Sequence, residues 1–328
     1  CTQNPTFMEE WRKGWHPEII EPKGKTSKVL VIGSGPAGLE AALACSNRGY
    51  DVTLTEATKI LGGRVAKERK LPGLSAWGRV ADYREYQLSQ KSNVETYLES
   101  SLDADQVLEF GFENVCIATG STWRADGVSR QHVVPIPNDH SINLYTPDDI
   151  MNDKLPAGKV VIYDDDHYYM GGVIAEKLIE NGCDVTLLTP CAYVSEWSIN
   201  TLEQAEIQKR LIEMGVKIEL NRGLISISNS KLISNCIYTQ NEKEIETQNI
   251  VMVASRKPHD QLYNDLLLKR TKWIDAGIKS IKLIGDANAP GPIAWATYAG
   301  HRYARELDTE DIGDNLPFRR EVTNLASN

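Results

Sequence analysis

The stretch from Val29 to Glu56 narrows the possible folds more than any other. A continuous apolar run, Val29 to Ile32, meets the turn Gly33-Ser34-Gly35-Pro36-Ala37-Gly38. A small-residue helix is predicted from Pro36 to Arg48, followed by a second strand from Asp51 to Thr55 that ends at Glu56. The order strand, glycine turn, helix, strand is a βαβ unit. Each glycine has a physical task in it. Gly33 permits the tight turn, Gly35 lets a bulky anion approach the backbone, and Gly38 lets the helix press against the strand.

The anion follows from the turn. Free N–H groups and the positive dipole end of the helix hold phosphates. Glu56, 23 residues after Gly33, stands where a carboxylate accepts hydrogen bonds from both ribose hydroxyls and repels a 2′-phosphate. The expected ligand is an adenosine without that phosphate, as in ADP, NAD or FAD. The candidate contacts are Gly33, Ser34, Gly35, Pro36, Ala37, Gly38, Glu56 and the neighbouring Ala57. Leu61-Gly62-Gly63-Arg64 resembles the glycine pair that follows the ribose acid in FAD-type flavoproteins, with Gly63 and Arg64 near the diphosphate; a plain surface cation is the other reading of Arg64. Ala118-Thr119-Gly120 resembles the ATG strand end of that superfamily. Gly285-Asp286 resembles its late GD motif, although Asp286 also suits a helix cap or turn.

The strand–helix–strand pattern returns roughly 130 residues later, with strand Lys159 to Tyr163, a helix from about Gly171 to Asn181, and strand Asp184 to Leu188. Two such openings imply an α/β protein with two doubly wound Rossmann-like domains of the FAD/NAD(P)-linked reductase type, the second inserted into the first. The expected domains are a lead-in at 1–26, a nucleotide-binding domain at 27–155 plus 256–307, a degenerate NAD(P)-type domain at 156–255, and a C-terminal arm at 308–328. The second turn reads Asp164-Asp165-Asp166-His167-Tyr168-Tyr169-Met170-Gly171-Gly172, which puts acids about where the first two glycines belong. A carboxylate about 4 Å from a phosphate oxygen costs about 4 kcal/mol at an effective dielectric near 20. The same acids suit the start of the helix as caps. Thr189-Pro190, at the end of the next strand, supplies neither a ribose acid nor an arginine for a 2′-phosphate. Tyr168 and Tyr169 read either as packed aromatics or as part of a docking surface.

Composition removes whole classes of function. Lys+Arg at 36 against Asp+Glu at 45 gives a net charge of −9, the wrong sign for neutralising nucleic-acid phosphates or anionic lipid. No apolar run approaches the ~18 residues of a membrane span, and the expected location is cytoplasmic. The six cysteines form no CxxC pair; Cys45, Cys116, Cys183 and Cys236 read as reduced structural thiols. The histidines are dispersed, and neither zinc spacing nor GxSxG occurs, so no catalytic residue is assigned.

Taken together, CTQNP with GWHPE, VLVIGSGPAGLEAA, LGGR with LPGL, ADYRE, VCIATGSTW, DDDHYYMGGVIAEKL and LIGDANAP with AGHRYARE resemble the C-terminal part of the trimethylamine dehydrogenase family, which includes dimethylamine and histamine dehydrogenases. The resemblance covers nearly the whole chain. It implies structural ADP in the first nucleotide domain, where FAD sits in reductase relatives. It also implies an N-terminal barrel, outside this chain, carrying FMN and the amine site. A [4Fe–4S] cluster follows that barrel, and its fourth cysteine resembles Cys1. One cysteine cannot hold such a cluster, so the chain alone is expected to lack the chemistry. Electrons are expected to pass to an electron-transferring flavoprotein, with Tyr168 in the exit region. Two further readings stand beside this one: a self-standing FAD-dependent NAD(P)H oxidoreductase, and a non-enzymatic nucleotide-binding interaction module.

Overall fold

A computed structural model of the chain describes residues 1–9, 12, 15, 18–20, 22 and 27–308. Parts of the expected lead-in, and the expected arm from 309 onward, lie outside the described residues. The chain divides into two compact units, Cys1–Ala66 with Gly78–Gly120 and Pro258–Asn328, and Lys67–Trp77 with Ser121–Lys257.

The first unit is built on strands β1 (Lys28–Ile32), β2 (Asp51–Thr55), β3 (Val94–Tyr97) and β4 (Asn114–Ile117). Helix α1 (Pro36–Asn47) joins β1 to β2; α2 (Arg79–Ser89) and α3 (Ala104–Phe110) follow. Alternation along β1 assigns its two faces. Val29 and Val31 pack with α1, whereas Leu30 and Ile32 pack with Ala104 and Val107 of α3. A strand covered on both faces has to be apolar throughout, which is why Val29 to Ile32 is an uninterrupted run.

The second unit contains β5 (Asn143–Tyr145), α4 (Pro147–Met151), β6 (Lys159–Asp164), α5 (Tyr169–Glu180), β7 (Asp184–Leu188), α6 (Gln204–Glu213), β8 (Lys217–Glu219) and β9 (Asn249–Val253). Its parallel sheet runs β5-β9-β6-β7-β8. Val160 and Ile162 face the helices, while Val161 and Tyr163 face an antiparallel meander of Arg222–Ser228, Lys231–Cys236 and Glu242–Glu246. The chain then re-enters the first unit at Pro258 and continues to β10 (Ser280–Leu283) and α7 (Ile293–Glu306). The first sheet is thereby completed in the parallel order β10-β4-β1-β2-β3.

The expected limits at 155 and 256 are displaced. Residues 67–77 and 121–155 belong to the second unit. The reason is apolar packing: Leu71, Leu74, Trp123, Ile150 and Met151 share one core with Val160, Ile162 and Ile174. Apolar area buried in one place decides membership of a unit whatever the order along the chain.

Candidate functional site: one open turn and one self-filled turn

The first unit brings five separated sequence motifs to the N-terminal end of α1. Gly38 has no room for a side chain, since a Cβ there would stand 1.9 Å from the Gly33 carbonyl oxygen. Gly33, at φ +99°, abuts the end of β4, where its Cβ would lie 2.4 Å from the Ala118 oxygen. Gly62 N–H donates to the Ser34 carbonyl at 2.9 Å, and a Cβ on Gly63 would touch the Gly35 Cα at 3.0 Å. From the far end of the chain, Gly285 presses on Ala37 so closely that its Cβ would lie 2.6 Å from the Ala37 Cβ. Gly35 differs from all of these: its absent Cβ faces open space. That is the glycine over which a diphosphate would pass.

Side-chain caps are absent from α2, α5, α6 and α7 as well as from α1. α3 and α4 open on full capping boxes, Asp103 with Gln106 and Thr146 with Asp149. α1 opens on Gly35 with Pro36 in its first turn, no side-chain cap and no acid in that turn. Its terminal amides and dipole are of the kind that attracts an anion.

Glu56 is positioned by the end of β2 and buried to 8% exposure. Its Oε2 accepts from Ser34 N–H at 3.0 Å and the Ser34 hydroxyl at 2.6 Å. Its Oε1 accepts from Thr58 N–H at 2.9 Å and the Thr58 hydroxyl at 2.8 Å. Burial alone would raise its pKa, but the hydrogen bonds from Ser34 and Thr58 outweigh burial and hold the carboxyl below its ordinary value. The group is therefore an ionised acceptor, with two hydroxyls that ribose hydroxyls can replace. Ala57, exposed beside it, leaves the approach to the strand end open.

Thr119 and Gly120 are fixed by a residue that sequence reasoning missed. The Thr119 hydroxyl donates to the His259 carbonyl at 2.5 Å, and His259 N–H donates to the Gly120 carbonyl at 2.9 Å. No local pattern marks His259. Thr58 was findable, because a hydroxyl two residues after an acid is a common local partner. Asp286 accepts from Gly291 N–H at 3.0 Å, so it holds the loop ahead of α7, as its turn reading requires. Arg64 is half-buried and engaged.

The second turn is two residues longer than the first: α1 begins three residues after Gly33, whereas α5 begins five after Asp164. Asp164 takes the place of Gly33, but it does not stand in a diphosphate path. Its side chain folds inward, and Oδ1 accepts from the N–H groups of Asp166 at 3.2 Å and His167 at 3.0 Å. Turn amides of the kind that hold phosphates are thus taken by the chain's own carboxyl. Gly171 is the counterpart of Gly38; its Cβ would fall 2.3 Å from Asp164 Oδ2. The expected capping is corrected: Tyr168, the residue before α5, gives the helix no side-chain cap, because Asp164 bonds the turn ahead of the helix. Asp165, fully buried, accepts from Gln131 N–H at 2.8 Å and lies 2.9 Å from His167 Nε2. Burial, reinforced by neighbouring Asp166, lifts the Asp164 pKa to about 7 against the opposing His167 N–H.

Tyr168 is half-buried and packs edge-on to Tyr169, centroids 4.5 Å apart; Tyr169 in turn meets Trp77 at 5.4 Å. Cys1 is exposed, and its Sγ accepts from Asn4 N–H at 3.4 Å. Among the described residues no three His, Cys, Asp or Glu side chains form a metal-binding group. Among the described residues, too, no helix is long and apolar enough to cross a membrane.

Residues 27–279 match the family model described as pyridine nucleotide-disulphide oxidoreductase. Dimethylamine dehydrogenase of Hyphomicrobium sp. (strain x) is 35% identical over 98% of this chain and 47% of its own length. Among solved structures, histamine dehydrogenase from Rhizobium sp. 4-9 superposes with a TM-score of 0.95 at 63% identity, covering 100% of this chain and 51% of that one. The 6-hydroxypseudooxynicotine amine oxidase from Pseudomonas geniculata N1 gives 0.89 at 41%, covering 94% and 46%. The chain spans about half the length of these relatives.

Two acid–base predictions separate the turns. A carboxyl with a lowered folded pKa adds stability above its unfolded pKa and loses it as pH falls through the folded value. Glu56→Gln should therefore unfold about 1–2 kcal/mol more easily at pH 7, with the gap closing in acid below about pH 4; a gap independent of pH would contradict the bonding described. Asp164 has the opposite sign. With its pKa raised to about 7, the folded chain loses stability as pH rises from about 4 to 7. Asp164→Asn should raise the melting temperature of the second unit at pH 8, with wild type catching up towards pH 5 in the same calorimetric scans.

Proposed function

Because the chain belongs to the pyridine nucleotide-disulphide oxidoreductase family, and within it to the trimethylamine, dimethylamine and histamine dehydrogenase group, we propose that its first unit binds ADP as a structural nucleotide. On this reading the chain is the nucleotide-binding and electron-exit portion of an amine-oxidising flavoprotein. Family membership carries a flavin- or nucleotide-type cofactor; the choice of ADP is our own. The observation that carries it is the contrast between the turns, a first turn whose Gly35 faces open space against a second turn whose amides are taken by Asp164.

Each residue has a task in that reading. The amides at the start of α1 hold the diphosphate, Glu56 orients the ribose, and Arg64 adds positive potential beside the phosphates. Asp286 accepts from Gly291 N–H through one oxygen and holds the loop ahead of α7. With the second turn closed to NAD(P)H, electrons would leave to a protein acceptor, for which we propose an electron-transferring flavoprotein docking near Tyr168. FMN in a barrel outside this chain would supply the amine oxidation, and Cys1 would give one thiolate to a [4Fe–4S] cluster shared with that part. The working location would be cytoplasmic, with no role for nucleic acid or membrane.

Calorimetric titration with ADP tests the assignment. Glu56→Ala should weaken ADP binding by roughly 1.5–3 kcal/mol, the usual worth of hydrogen bonds to a charged group. Equal affinity in wild type and variant would show that Glu56 does not meet the ribose.

A further inference from the structure

One sequence block, Ala81 to Glu85, takes no part in the nucleotide site, yet it contains the largest fully buried side chain among the described residues. Arg84, on α2, has zero exposure. Its Nε donates to Glu40 Oε2 at 2.6 Å, its Nη1 to the Val80 carbonyl at 2.9 Å and to Gln3 Oε1 at 3.3 Å, and its Nη2 to the Gln3 carbonyl at 3.2 Å. Glu40, on α1, turns its other oxygen to His301 Nδ1 of α7 at 2.9 Å. Arg305 Nε–H donates to His301 Nε2 at 3.1 Å, which makes Nε2 the acceptor and puts the ring proton on Nδ1, facing Glu40. Trp15 stands edge-on to the same imidazole at 5.2 Å, and Arg12 reaches the Tyr298 hydroxyl at 3.1 Å.

An ion pair this deeply buried is a poor source of stability; a well-packed apolar pair of similar volume often does as well or better. What the guanidinium fork adds is direction. It joins three elements that share no sequence neighbourhood: α2, α1 and the segment Cys1–Glu9. Glu40 lies one turn along α1 from the amides at its N-terminal end, and α7 crosses α1 so closely that a Cβ on Gly300 would lie 2.2 Å from the Ala37 oxygen.

We propose that Arg84 is a positioning residue that clamps the segment bearing Cys1 to the nucleotide-binding helix, so that nucleotide at the start of α1 also secures that segment. The nucleotide half of this proposal rests on the ADP reading given above. A ligand that binds only the closed form of α1 disfavours every local opening that loosens α1, and with it the opening that frees Gln3. The Cys1 thiol, fixed by Asn4 N–H, is held in place by the same clamp.

Hydrogen exchange of residues 2–9, followed with and without ADP, tests the clamp. Arg84→Lys keeps the charge beside Glu40 but loses the fork, and Gln3→Ala removes one surface acceptor and leaves the core untouched. In wild type, ADP should slow exchange in residues 2–9. Arg84→Lys should speed it about tenfold there and abolish the ADP effect, with ADP affinity by calorimetry unchanged within about threefold; Gln3→Ala should give a smaller change in the same peptide. Exchange in residues 2–9 that ignores Arg84→Lys, or that rises equally in β1 and β2, would overturn the clamp. ADP that protects this segment equally in wild type and Arg84→Lys would overturn the linkage. If ADP fails to bind wild type at all, the nucleotide reading falls, and the ADP-free comparison still decides the clamp.

Discussion

The close approach of backbone to backbone at the foot of α1 is the constraint on which the first unit depends. With 1.9 Å between a notional Gly38 Cβ and the Gly33 oxygen, any side chain at that position would push the helix off the strand. The rest of α1 continues the theme, since Ala37, Ala41, Ala42 and Ala44 are buried and small enough to let neighbours come near. Close packing of this kind makes the end of the helix a rigid platform. It also explains why motifs from Gly62 to Gly285 converge there: each is a place where the main chain itself, rather than a side chain, makes the contact.

The second unit repeats the topology and reverses its use. Both sheets place the strand that leads into the turn between its two nearest parallel partners. In the first, the turn ends in a glycine whose absent Cβ faces open space. In the second, a buried carboxyl satisfies the turn amides from within, at the expense of ionisation in a dry site. The same backbone preference for an anion is met internally in the second unit and left open in the first.

Much of this was legible before the structure. The βαβ openings, the open first turn, the absence of the first two glycines from the second and the return of the chain through β10 all rest on local patterns of apolar period and glycine placement. What escaped is tertiary. The inward fold of Asp164 depends on a turn two residues longer than the first, which residue identity alone did not reveal. Leu71 and Trp123 joined the second core through packing that has no local period. Arg84, Glu40 and His301 come from three helices, and nothing in their spacing announces a network. Charged residues within helices read as solvent-facing until their partners are known.

The central claim is that one turn binds nucleotide and the other cannot. Native mass spectrometry of the chain mixed with ADP and NADPH measures it directly. One ADP per chain and no retained NADPH are expected. A complex carrying NADPH together with ADP would contradict it.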